Sequence, residues 1–310
     1  MGKIGVLLVN LGTPDRCDNL SVYRYLTEFL NDPFVVDLPF IVRVILVNII
    51  IVPFRFRTSR KAYQAIWRTD GSPLLHYSCA LQKALSIELG NTYHVELGMR
   101  YGHPSIDKAA NRLIDCERII ALPLFPHYSR ATTESAIQKI KRALQKKSLS
   151  IIRDFYNEPL FIESMACHIQ SHLENKKPDF MLFSYHGLPA RSGLQYRADC
   201  HITSELIADR LQLDKDRYTT SFQSRLKGPP WIQPYTDLVL PELIQKGVKH
   251  LTIVSPSFVA DCLETLEEIG IRLKEQWIDL GGESFTLIPA LNDDAIWIKN
   301  VATLIREKLS

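Results

Sequence analysis

Residues 179–189 read DFMLFSYHGLP, an almost wholly apolar run that meets a histidine, a glycine and a proline. A short apolar run closed by turn formers reads as a buried strand, with the glycine and proline turning the chain as it leaves the sheet. Three other stretches repeat the pattern: IGVLLV at 4–9, RIIALPL at 118–124 and HLTIVS at 250–255. Strands apolar on both faces belong to a parallel sheet that helices cover on both sides. Weaker runs at 95–99, 151–155, 218–223 and 285–289 bring the expected strands to eight. Amphipathic segments at 19–30, 105–114, 133–144, 160–173, 198–211, 236–245 and 261–276 fill the spaces between them. Such alternation predicts an α/β fold with right-handed crossovers.

The 310 residues exceed the usual size of one core. The basic, polar stretch 139–150 falls near the middle of the chain and reads as the connector between two α/β lobes of similar size, 1–145 and 146–292. The last helical segment, within 293–310, is assigned to the first lobe. A composition of 46% hydrophobic and 23% charged residues is that of a globular protein. Net charge is only +3, and no basic stripe interleaved with aromatics points to nucleic acid. Six scattered cysteines, Cys17, Cys79, Cys116, Cys167, Cys200 and Cys262, give neither a disulfide framework nor a metal knuckle and fit a cytoplasmic protein. The phosphate-binding and nucleophile-elbow motifs G-x-G-x-x-G, G-x-x-x-x-G-K-[ST] and G-x-S-x-G are all missing, which argues against dinucleotide enzymes, P-loop enzymes and serine hydrolases.

One stretch, PFIVRVILVNIIIVPF at 39–54, is strongly apolar but broken by Arg43 and Asn48. It falls short of the ~20 residues that cross a bilayer. It reads either as a buried core helix or as an apolar lip that takes a greasy ligand or rests on a membrane, with Arg55, Arg57 and Arg60 beyond it for anionic groups. The residues alone do not choose between these readings.

Chemistry concentrates after the strands, where open α/β sheets bind ligands. His186 stands at a strand's carboxyl end, and imidazole both moves protons near neutral pH and binds borderline metals. A histidine bonded only to its own loop is the competing structural account. After the strand at 250–255, Asp261, Glu264 and Glu268 have the i, i+3, i+7 spacing of one helical stripe. Asp261 with Glu264 also reads as an N-cap with its capping-box partner, a purely structural explanation. Leu122–Ser129 and the proline-rich stretch 228–236, with Trp231, are stiff and aromatic, which suits either a flat apolar ligand or simple packing.

In order along the chain stand NLGTP (10–14), DGSP (70–73), MRYGHP (99–104), PHYS (126–129) with Thr132 and Thr133, SYHGLP (184–189), FQSR (222–225), GPPW (228–231) and DCLETL (261–266). Together these segments resemble the ferrochelatases over nearly the whole chain. The resemblance implies two Rossmann-like lobes of the chelatase type, each a four-stranded parallel sheet flanked by helices, with a porphyrin cleft between them. It implies His186 and Glu264 as the metal-insertion pair, Glu268 continuing the acidic line, and Leu11, Arg57, Arg100, Tyr128, Ser129 and Trp231 around the porphyrin. It also implies Fe²⁺ as substrate and a lyase activity that completes haem; the expected location is cytoplasmic, with peripheral contact at the inner face of the membrane following only from the lip reading of 39–54.

Departures from the family pattern shape these expectations. Cys262 occupies a position where some members carry a second histidine. Arg130 stands where cluster-bearing relatives have a cysteine ligand, and no cysteine follows Cys262, so no iron–sulfur cluster and no other prosthetic group is expected. Leu11 replaces the tyrosine of coproporphyrin-using relatives, which favours protoporphyrin IX. A cobalt chelatase acting on another tetrapyrrole and a non-catalytic porphyrin or haem carrier are the alternatives. A nucleotide-dependent oxidoreductase ranks behind both, for want of a phosphate loop.

Overall fold

The computed structural model describes residues 3–145, 147–174, 179–225 and 230–309. Gly228 and Pro229 of the proline-rich motif lie outside the described residues. Eight strands are present, seven of them where expected and β4 displaced: β1 (Ile4–Gly12), β2 (Tyr93–Tyr101), β3 (Arg118–Pro123), β4 (Ser148–Ile151), β5 (Phe180–His186), β6 (Tyr218–Gln223), β7 (His250–Val254) and β8 (Ser284–Leu287). They form two all-parallel four-stranded sheets, ordered β2-β1-β3-β4 and β6-β5-β7-β8. The two orders are the same, so the chain uses one winding scheme twice. In each sheet the first strand sits second, and the chain winds away from it in both directions.

The chain divides into one unit of Met1–Asp154 with Ala302–Ser310 and a second of Phe155–Val301. This places the division later than 145/146, because β4 pairs with β3 and so belongs to the first sheet. β4 lies inside the stretch expected to be a connector and overlaps the expected strand only at Ile151. Its polar sequence, SLSI, gives no apolar run, as is common for an edge strand. The terminal helix Ala295–Glu307 is shared between the units rather than assigned to the first. Trp297 packs against Phe155 and Phe161, while Arg306 donates to the Glu88 carbonyl oxygen at 2.8 Å.

Period-two alternation governs the second sheet. Phe180 and Leu182 join Val239, Leu240 and Leu243 of helix Thr236–Gln245 and Ile269, Leu273 and Trp277 in one core. Tyr185 points to the opposite face, where its hydroxyl meets Ser204 of helix Leu194–Arg210 at 2.8 Å. In the first sheet, Leu7, Val9, Ile119 and Ala121 pack with Ile106, Leu113, Ala136 and Ile140.

The apolar stretch settles a question the sequence leaves open. It forms helix Phe40–Ile45, a π-helical segment Leu46–Ile51 and helix Val52–Ile66. Its polar breakers point inward: Arg43 Nη1 donates to the Leu38 carbonyl oxygen at 2.7 Å, and Asn48 Nδ2 to that of Val44 at 2.7 Å. Most of its apolar residues point outward, with Phe40 69%, Ile41 70%, Ile49 65% and Phe54 81% exposed, while Val47 and Val52 are buried. The buried-core reading therefore fails for most of this stretch. Among the described residues no helix is long and apolar enough to cross a membrane.

His127 is fully buried, and desolvation pushes its pKa down to about 3. The unfolded chain takes up this proton near pH 6.5, so stability present above that pH is lost as pH falls towards the folded value. At pH 5 the loss is about 2 kcal/mol, given ~1.4 kcal/mol per pH unit. Chemical denaturation at pH 7 and pH 5 is expected to show this drop in the parent and a flatter dependence in His127→Gln. Equal pH dependence in both proteins would contradict the assignment.

Candidate active site

The second sheet carries a polar stripe at its carboxyl edge. Ser184 and His186 follow Phe180 and Leu182 on the same face of β5, and the parallel register sets Ser184 beside Ser221 and His186 beside Gln223. Greasy side chains thus give way to polar ones just where β5, the strand at which the sheet reverses its winding, runs out. That reversal point is where open α/β sheets bind ligands.

His186 is half-buried. Its backbone N–H donates to Ser257 Oγ at 3.2 Å, and Phe258 meets its ring edge-on at 6.2 Å between centroids. Its Nδ1 is buried and has no hydrogen-bond partner among the described residues. The turn after it needs glycine for space: a Cβ on Gly187 would lie 2.7 Å from the Gln223 carbonyl oxygen and 3.2 Å from the Trp231 ring. Trp231 is held against this turn by a bridge to Pro189 and by the flanking Ile232 N–H to Leu188 carbonyl bond at 2.9 Å.

Glu264 opens a π-helical segment, Glu264–Leu273, in place of the α-helix expected from residue 261. Apolar periodicity does not distinguish i+5 from i+4 hydrogen bonding over a single segment, so the sequence hides this change. Asp261 leaves the expected acidic stripe. It is 2% exposed, and its carboxylate accepts from Thr265 Oγ1 at 2.8 Å, Asn292 Nδ2 at 2.8 Å and the Ala290 N–H at 3.2 Å. Asp261 therefore fastens the start of the π-helical segment to the loop after β8. Nor do Asp261 and Glu264 form the expected capping box, since Thr265 takes the place of Glu264 as partner. Burial, then the neighbouring Glu264 carboxylate, raises the Cys262 thiol well above its usual range.

Glu268 remains in line with Glu264 but is engaged: Ser224 donates to it through its N–H at 2.8 Å and through its hydroxyl. Ser224 adopts φ of 63°, unusual for a residue with a side chain, and both bonds to Glu268 hold it there. Beyond Glu268 lies a polar cavity of about 200 Å³, lined in part by Ser224, Arg225, Asp237, Glu268 and Arg272. Ligand pockets usually span ~300–1,000 Å³, so this one suits an ion or water rather than a macrocycle. Among the described residues no three His, Cys, Asp or Glu side chains converge as a metal cage.

The remaining candidates, all in the first unit, cluster less tightly. Leu11 and Arg100 lie at the carboxyl ends of β1 and β2, and Tyr128 and Ser129 follow β3. Arg100 is occupied by a buried network: its guanidinium pairs with Asp32 and donates from Nε to Ser135 Oγ at 2.6 Å, and Tyr101 joins the same Asp32 oxygen at 2.8 Å. Ser129 caps the segment Arg130–Glu134, accepting from the Thr132 N–H at 3.2 Å. Tyr128 donates to Glu134 at 3.1 Å, with the Arg153 guanidinium 3.8 Å above its ring. Arg57 is exposed on helix Val52–Ile66, its guanidinium carbon 5.6 Å from the Phe56 ring centroid. Sequence reasoning assigned no role to Gln223, Ser184 and Thr236, although the first two stand in the FQSR and SYHGLP segments and Thr236 at the next helix start.

Comparison with known proteins agrees in family and in fold. The family described as Ferrochelatase matches residues 3–309. Proteins named ferrochelatase from Legionella pneumophila (strain Paris) and Coxiella burnetii (strain CbuK_Q154) are 49% and 47% identical to this chain; the alignments cover 98% and 99% of it, and 99% and 94% of those proteins. Among solved structures, SirB from Bacillus subtilis with Fe³⁺ aligns with a TM-score of 0.58 at 11% identity, over 99% of this chain and 95% of that one. CbiX, described as the terminal enzyme for biosynthesis of sirohaem in denitrifying bacteria, aligns with a TM-score of 0.56 at 14% identity, over 99% and 100%.

Replacing Asp261 by Ala strands the Thr265, Asn292 and Ala290 donors in the interior. The expected loss is about 3 kcal/mol, from a typical ~1–3 kcal/mol for each buried group left unsatisfied. Equilibrium unfolding measures it, and a change below ~0.5 kcal/mol would contradict the anchoring role.

Proposed function

Because this chain belongs to the ferrochelatase family, we propose that His186 and Glu264 are the pair through which it inserts ferrous iron into protoporphyrin IX. The activity is that of a lyase in haem biosynthesis, and its product is protohaem. The observation that carries the residue assignment is the polar stripe at the end of β5, where His186 has a buried Nδ1 with no partner among the described residues and its ladder neighbour Gln223 reaches the Glu264 backbone.

Insertion exchanges two pyrrole protons of the free-base ring for one Fe²⁺, so the site must take up two protons and present a divalent cation to four nitrogens. His186 accepts one pyrrole proton, passes it to water and then accepts the second. Glu264 supplies the carboxylate that neutralises and guides the cation, and the polar cavity beyond Glu268 is where hydrated iron approaches. Apolar contact with the macrocycle's faces supplies remote binding energy to bend the ring, typically ~1–5 kcal/mol, which tips a nitrogen lone pair towards the metal. Leu11, Arg57, Tyr128, Ser129 and Trp231 are the porphyrin contacts. Arg100, tied to Asp32 and Ser135, acts by holding the end of β2. Leu11 favours protoporphyrin over coproporphyrin, and the dispersed cysteines leave no ligand set for an iron–sulfur cluster.

Anaerobic turnover with Fe²⁺ and protoporphyrin IX, followed in the visible spectrum, tests this reading. His186→Ala and Glu264→Gln should each fall by at least ~10²-fold, the usual contribution of a positioned proton-transfer group. The purified protein should contain no acid-labile sulfide. A folded His186→Ala variant with parental turnover would remove the assigned role.

The outward apolar face of the 40–54 stretch docks on a lipid surface. Fully burying one such side chain contributes ~1.5–3 kcal/mol, and the cations Arg55 and Arg57 follow directly for anionic headgroups. The protein is thus a peripheral membrane protein of the cytoplasmic face. Sedimentation with anionic vesicles should carry the parent down and leave a Phe40→Ser, Ile41→Ser, Phe54→Ser variant in solution. Equal sedimentation of both would contradict the assignment.

A further inference from the structure

We infer that Gln223 is a positioning residue for the metal-insertion pair, holding the Glu264 turn at a fixed distance from His186. The inference rests on the reading of His186 and Glu264 given above. Gln223 is 4% exposed and touches both sides of that pair. Through its main chain it is the ladder neighbour of His186, and its carbonyl oxygen accepts the Gly187 N–H at 2.8 Å. Through its side chain, Nε2 donates to the Glu264 carbonyl oxygen at 3.0 Å. One residue therefore connects the strand that ends in the base to the first turn of the segment that carries the acid.

The amide is oriented rather than merely present. Oε1 accepts from Ser184 Oγ at 2.8 Å, which fixes which end of the amide faces Glu264. Ser184 Oγ in turn lies 3.0 Å from Thr236 Oγ1, and Ser221 Oγ lies 2.9 Å from the same atom. All three hydroxyl residues are buried, so the relay is screened from water and each hydroxyl is spent within it. A carbonyl in a π-helical segment accepts from the residue five positions on and keeps a second lone pair. Gln223 fills that lone pair at Glu264. The next residue, Ser224, grips the Glu268 carboxylate one turn later, so two consecutive residues fasten two acids of the line. Without the amide bond, the turn bearing Glu264 is free to shift relative to β5. Misplacement of a catalytic group by ~1 Å can cost ~10²-fold in rate.

Full-length variants separate positioning from simple stability. Gln223→Glu keeps an acceptor for Ser184 but has no donor for the Glu264 carbonyl, and Gln223→Met removes both bonds. Ser184→Ala removes only the bond that orients the amide. With thermal midpoints and circular dichroism close to the parent, both Gln223 variants should lose ~10-fold or more in kcat/KM for Fe²⁺. Porphyrin affinity, read by tryptophan fluorescence quenching, should stay within about twofold. Ser184→Ala should move the same parameter in the same direction by a smaller factor, and it decides the matter if the Gln223 variants do not fold. Folded Gln223→Glu, or folded Ser184→Ala, with parental kcat/KM for iron overturns the inference. Glu264→Gln, run alongside, tells the two failures apart. Full activity in that variant sinks the reading of the pair itself, whereas an inactive Glu264→Gln beside active Gln223 variants sinks only the role of Gln223.

Discussion

Parallel pairing at β5 is the constraint from which the site follows. The strand has neighbours on both sides, β6 and β7, and the chain leaves its carboxyl end into the loops that bear the chemistry. Because side chains alternate, one face of β5 reads Phe180, Leu182, Ser184, His186 from the base of the sheet to its edge. The apolar half anchors the strand under helix Thr236–Gln245 and the π-helical segment. The polar half delivers the imidazole. A one-residue slip in register would turn His186 to the opposite face, so the hydrophobic core that fixes the register also fixes the place of that imidazole.

The acid side of the site is built differently. Glu264 sits where a π-helical segment begins, and its position is set by contacts that are not helical at all. Asp261 ties the entry to the loop after β8, while Gln223 ties the first turn to β6. Burial holds the Cys262 thiol between them in its protonated form, and the donors that meet Asp261 are neutral. Buried carboxylates are tolerated when several donors satisfy them, and Asp261 has three.

Much of this was legible in the sequence. Long apolar runs gave β1, β3, β5 and β7 because central strands of parallel sheets are buried on both faces. The edge strands β4 and β8 were less clear, and β4 fell in what looked like a connector, since an edge strand keeps little apolar surface. His186 was visible from its strand-end context. Gln223 stood in the FQSR segment, but nothing there assigned it a role until the register placed it beside His186. The expected acidic stripe loses one member: the helix starts later than the capping pattern suggested and Asp261 turns inward, while Glu264 and Glu268 share the π-helical segment. The stretch at 40–54 could not be assigned from composition, because the decision lay in which way Arg43 and Asn48 pointed. Their inward bonds to backbone carbonyls turn the greasy side outward.

A crystal structure of the protein with free-base protoporphyrin IX bound tests the central claim most directly. The account predicts a His186 ring nitrogen within hydrogen-bond reach of a pyrrole nitrogen, ~2.6–3.2 Å or one water away, with the Glu264 carboxylate facing the ring centre. A macrocycle seated away from His186, or one with both groups on its outer edge, would contradict it.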